Sequence, residues 1–134
     1  MRAAQILVLA ALAVTFAASS ARAHHSFAAE FDANKPFKMT GKVTKVEWMN
    51  PHTFFYIDVM DEKTGKVTNW GMEMGSPNIL MRSGWRRDTM KVGDTVTVEG
   101  SLAKDGTPTG NARTVTLAAT GKRLFAGSSQ GSTP

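Results

Sequence analysis

Cysteine is absent from this 134-residue chain, which excludes disulfides, thiolate nucleophiles and Cys-ligated metal sites. Long apolar runs are equally scarce. There is one, at residues 3–18, interrupted only by Gln5 and Thr15, and nothing after it resembles a membrane span. Glycine-rich phosphate loops are missing, and Asp58, Asp61, Glu62 and Glu73 form no recognisable acid pair. Ser26 lies near His24 and His25, but no third group orients a base for it. No enzyme is expected. Charge of one sign is also in short supply: 16 Lys+Arg stand against 11 Asp+Glu, and the only tight basic pair in the body of the chain is Arg86-Arg87. Scattered charge of that kind is not a nucleic-acid footprint, so no nucleic acid is expected as a partner.

What is present begins with an N-terminal segment of recognisable design. Arg2 supplies a positive start, the apolar run follows, and Ala21-Arg22-Ala23 places small residues at the −3 and −1 positions of a cleavage site. Residues 1–23 therefore read as a secretory signal peptide, removed before His24. The rival, a membrane anchor, needs about 20 apolar residues, more than this run provides. The processed chain, residues 24–134, keeps 14 Lys+Arg against 11 Asp+Glu. It is expected to be periplasmic or secreted, with no membrane attachment after cleavage. A disulfide-free domain of this size must hold itself with its core, which is feasible because folding buries about two thirds of the unfolded surface.

Alternation places the elements. Residues 24–37 lack clean periodicity and read as an N-terminal arm, with Phe27 and Phe31 able to pin it down. Residues 38–49 read as strand one, long and bent, with Gly41 and a bulge near Thr44-Lys45 reconciling the opposite parity of Val43 and Val46. In strand two, residues 53–60, Phe55, Ile57 and Val59 form the core face. Asp61 to Gly65 is hairpin-turn chemistry, and residues 66–74 are strand three. Residues 76–84 form a short helix with Ser76 as N-cap, Pro77 at the first position and Gly84 at the end; Trp85 then plugs one end of the core. Residues 94–102 and 112–119 are strands four and five. From residue 121 a Gly/Ser-rich tail is expected to be mobile. The expected fold is all-β: a small five-stranded OB-like barrel over residues 38–120, with one short helix between strands three and four. An open β-sandwich is the alternative, which the helix position disfavours.

The stretches His24-His25-Ser26-Phe27, Thr40-Gly41-Lys42-Val43, Asn50-Pro51-His52, Asn69-Trp70, Gly75-Ser76-Pro77-Asn78 and Val92-Gly93-Asp94 together resemble a family of small secreted bacterial proteins classed as a domain of unknown function. That resemblance implies export and a β-rich domain, and no reaction. A looser resemblance is to the periplasmic copper/silver chaperone of the Cus efflux system. It implies a Cu(I) site of one His and two Met capped by a Trp, for which His52, Met72, Met74 and Trp70 are the matching positions.

Two chemistries compete. Cleavage before His24 would expose an α-amine beside an imidazole, a bidentate nitrogen pair suited to Cu(II), then Zn(II) and Ni(II). His25 and His52 would complete a copper site, with Glu73 as orienter or further ligand if strands two and three pair so that Phe55, Ile57 and Val59 share a face with Trp70, Met72 and Met74. Burying both apolar sets favours that register. In the other register His52 faces Met72 and Met74. The second chemistry is a metal-free interaction module, in which Phe54 and Tyr56 on the outer sheet face, with Trp70 on the neighbouring strand, bind a ligand or a periplasmic protein partner.

Overall fold

A computed structural model describes residues 27–127. A helical turn at residues 27–30 leads into six strands and one helix: β1 Phe31–Glu47, β2 Phe54–Met60, β3 Val67–Glu73, α1 Pro77–Arg82, β4 Thr95–Ala103, β5 Thr109–Leu117 and β6 Arg123–Phe125. The strands lie in the order β3-β2-β1-β4-β5-β6, and β3 also pairs with β5, so the sheet closes on itself and is barrel-like. All neighbours are antiparallel except the closing pair, which is parallel through Gly71–Thr109, Met72–Gly110 and Glu73–Asn111.

β1 serves both halves of the closed sheet, which explains its 17 residues. Its first part pairs only with β4, Lys42 pairs with both Thr95 of β4 and Asp58 of β2, and the part from Val43 on pairs with β2. The register slips between Val43 and Lys45, at the bulge expected from parity. A Cβ at Gly41 would sit 2.6 Å from the Asp58 carbonyl oxygen, so only glycine lets the strands approach at this bend. β1 also begins at Phe31, inside the stretch read as an arm, and Pro36 stands within it opposite Ser101. Proline is tolerated because no strand pairs with the other edge of β1 there.

Burial follows the alternation. Phe55 and Ile57 of β2, Met72 of β3, Val96 and Val98 of β4 and Val115 of β5 are completely buried. In α1, Ser76 Oγ accepts from the Ile79 amide at 3.4 Å, capping the helix as its sequence predicts. Leu80 from α1 and Trp85 just after it enter the core. The Trp85 indole donates to the Phe125 carbonyl at 2.8 Å. That acceptor belongs to β6, a strand within residues read as tail. Leu124 and Ala126 are buried, and Gly75 N–H donates to the Ala126 carbonyl at 2.9 Å. A three-residue strand carries too short a pattern to stand out beside glycine and serine.

Candidate functional site

The register of β2 against β3 decides what His52 can meet. Phe55 faces Met72, Ile57 faces Trp70, and Phe54 faces Glu73. The ladder continues past β2: Thr53 N–H donates to the Gly75 carbonyl and Met74 N–H to the Thr53 carbonyl. His52 and Phe54 thus share the outer face with Glu73, and His52 reaches Glu73 diagonally. Its Nδ1 lies 3.1 Å from Glu73 Oε1. Asn111, directly opposite Glu73 on β5, brings its Nδ2 within 3.5 Å of the same oxygen.

Glu73 is only 9 % exposed. Burial, aided by the charge of Glu30 nearby, pushes its carboxyl up to about 7. Glu30 belongs to the N-terminal turn, which is tied down from β4 and the residue after it. Lys104 N–H donates to the Glu30 carbonyl at 2.8 Å, and the Lys104 ammonium donates to the Ala28 carbonyl. Phe27 stacks at 5.7 Å on buried Phe31. The N-terminal turn therefore carries an acidic side chain that is felt by Glu73. Glu30 also lines an open cavity of about 520 Å³ with Phe31, Lys104, Asp105 and Thr109.

His52 and Glu73 are brought together as the apolar pattern suggested. The signal peptide, its cleavage site, His24 and His25 lie outside the described residues. The soft His–Met–Met set does not form: Met72 and Met74 are fully buried in the core, while Glu73 between them points the other way with His52. The aromatic trio is not one surface. Trp70, opposite Ile57, lies on the inner face and packs against the core, lining a cavity of about 270 Å³ with Met39, Val59 and Thr68. Phe54 and Tyr56 remain on the outer face, half-buried. Tyr56 packs over Gly71, donates its hydroxyl to Glu47 at 3.3 Å and holds Lys45 at 5.5 Å from its ring centre. Its polar end is already engaged.

Two members of the site escape a reading of the sequence. Glu30 sits in a stretch without periodicity. Asn111 follows a glycine and looks like part of a loop, yet it is buried within β5. Among the described residues, no three His, Asp or Glu side chains form a metal-binding group. A complete site would need ligands from outside them.

A family model described as a family of unknown function (DUF6152) matches residues 11–113. No curated protein matches the chain, and no solved structure does.

Proposed function

The chain belongs to the DUF6152 family, to which no activity is assigned, and from its site we propose an exported, non-catalytic module that binds a divalent copper ion. His52 supplies the ligand from the sheet through Nε2. Glu73 orients that ring from behind, in the carboxylate–histidine–metal arrangement. The amine and imidazole of a processed His24, with His25, supply the remaining nitrogens.

The observation that carries this reading is the 3.1 Å contact of His52 Nδ1 with a buried carboxylate. It restrains the ring and leaves Nε2 with no hydrogen bond among the described residues. The docked N-terminal turn supports it further. His24 is three residues upstream of Phe27, a tether that reaches about 10 Å at full extension. Burial of Met72 and Met74 removes the thioethers from reach. The donors left are nitrogen and oxygen, which select Cu(II), with Zn(II) and Ni(II) as competitors, over Cu(I).

Titration of the processed chain with Cu(II), beside the free peptide His-His-Ser-Phe, tests the reading. One-to-one binding tighter than the peptide is expected, with His52→Ala and Glu73→Gln each weakening it roughly 10- to 100-fold. Binding that equals the peptide and ignores His52 would refute it. The metal-free alternative is less well supported, because Tyr56 spends its hydroxyl and ring on Glu47, Lys45 and Gly71.

A further inference from the structure

The connection from α1 to β4 repeats a five-residue pattern: Leu80-Met81-Arg82-Ser83-Gly84, Trp85-Arg86-Arg87-Asp88-Thr89, Met90-Lys91-Val92-Gly93-Asp94. The first residue of each unit is buried, with Leu80 at 0 %, Trp85 at 2 % and Met90 at 4 % exposure. The next two residues of each unit are exposed. Tight turns enforce this spacing. Trp85 N–H donates to the Leu80 carbonyl, Thr89 N–H to the Arg86 carbonyl, and Asp94 N–H to the Lys91 carbonyl. Arg86 N–H and Lys91 N–H are held by Thr89 Oγ1 and Asp94 Oδ2. Gly93 N–H donates to the Val43 carbonyl and Val43 N–H to the Asp94 carbonyl, fixing the end of the connection to β1.

Three inward anchors leave seven exposed side chains: Met81, Arg82, Arg86, Arg87, Asp88, Lys91 and Val92. Among the described residues, none of the four cations pairs with a carboxylate. Met81 and Val92 are 52 % and 66 % exposed, two of the few large apolar side chains that face solvent. Charge singles out the same face. Residues 81–92 hold four cations against Asp88, a net of +3, and residues 24–134 as a whole hold 14 cations against 11 anions. The rest of the processed chain is therefore neutral, and its whole surplus sits on one rigid connection.

We propose that this face docks on an anionic phospholipid bilayer, the guanidinium and ammonium groups meeting lipid phosphates while Met81 and Val92 enter the headgroup boundary. Exposed cations interspersed along one connection with free apolar side chains are what such an interface takes up, and it demands no shape-matched partner. This is contact with a surface and not insertion, consistent with the finding that no described helix is long and apolar enough to cross a membrane. The inference is independent of the copper site.

The test is co-sedimentation of the processed chain with vesicles of pure phosphatidylcholine and of an equimolar mixture with phosphatidylglycerol. Partitioning onto the anionic vesicles alone is expected, falling as salt shortens the Debye length. Each cation changed to glutamine should weaken it roughly fivefold, so that Arg82→Gln/Arg86→Gln/Arg87→Gln/Lys91→Gln together abolish it. Lys63→Gln/Lys66→Gln, on the β2–β3 turn, should leave it unchanged. All the altered side chains are exposed, and an unshifted thermal transition confirms that each variant is folded. Three results would overturn the proposal: no partitioning by the unaltered chain, equal partitioning onto neutral vesicles, or equal losses from the two sets of substitutions. The first would leave the face to an acidic protein surface.

Discussion

Glu73 should make the protein less stable as pH rises from the acid side, opposite to the usual behaviour of a folded domain's carboxylates. Its carboxyl is raised from 4.5 to about 7, by burial first and by Glu30 second. In acid below its unfolded value the group is neutral in both states and costs nothing. Between about 4.5 and 7 the unfolded chain ionises while the native state keeps its proton, so stability is lost progressively through that window. Above about 7 both states are ionised and the full penalty remains. That penalty is about 3 kcal/mol, as a ceiling, because the Glu73 side chain keeps some contact with solvent. Other carboxylates act in the opposite sense. Glu47, Glu99 and Asp105 are lowered, chiefly by hydrogen bonds from Lys45, Thr114 and Thr107. The informative quantity is therefore a difference. Urea unfolding of the unaltered chain and of Glu73→Gln across this range should show the variant gaining up to about 3 kcal/mol on the parent between about pH 4.5 and 7, with no further change above. A difference that does not vary with pH would refute the reasoning. A difference of the opposite sign would mean that Glu73 is held ionised by His52.

The core methionines provide a second test. Met72→Leu/Met74→Leu keeps volume and should cost less than about 1.5 kcal/mol per site while leaving copper affinity unchanged; Met72→Ala should cost about 2–5 kcal/mol by chemical denaturation. Loss of copper binding in the leucine variant would mean that the thioethers are ligands. Gly100→Ala places a Cβ 1.9 Å from the Asn111 carbonyl oxygen, on the backbone beside the site. It should destabilise by about 3 kcal/mol, seen as a lowered thermal midpoint, and an unchanged midpoint would contradict the β4–β5 register. Truncation after Thr120 removes buried Leu124 and Ala126 and the acceptor of the Trp85 indole. A large loss of stability is expected, whereas a stable truncated chain would show β6 to be dispensable.

Local pattern made much of this protein legible from its residues. Side chains in a strand alternate with a period of two, so Phe55-Ile57 and Val96-Val98 announce their core face without knowledge of any partner. Ser76-Pro77 announces a helix start, and the clash in parity between Val43 and Val46 announces a bulge. Even the pairing of His52 with Glu73 follows from the requirement that both apolar sets of the β2–β3 hairpin be buried together. Family membership, likewise, is carried by the sequence alone. Tertiary structure decided what depends on distant segments. The parallel join of β3 to β5 closes the sheet and brings Asn111 to Glu73, across 38 residues of sequence. The clamp of Lys104 on the N-terminal turn spans 76 residues and sets Glu30 beside the site. Trp70 lies opposite Ile57 on the inner face, as the favoured register has it, and is thereby parted from Phe54 and Tyr56. β6 is held by its ladder with β5, and the Phe125 and Ala126 carbonyls accept from Trp85 and Gly75. The physical reason is the same in each case. Periodicity records which way a side chain points, and it holds no information about which remote strand comes to lie beneath it.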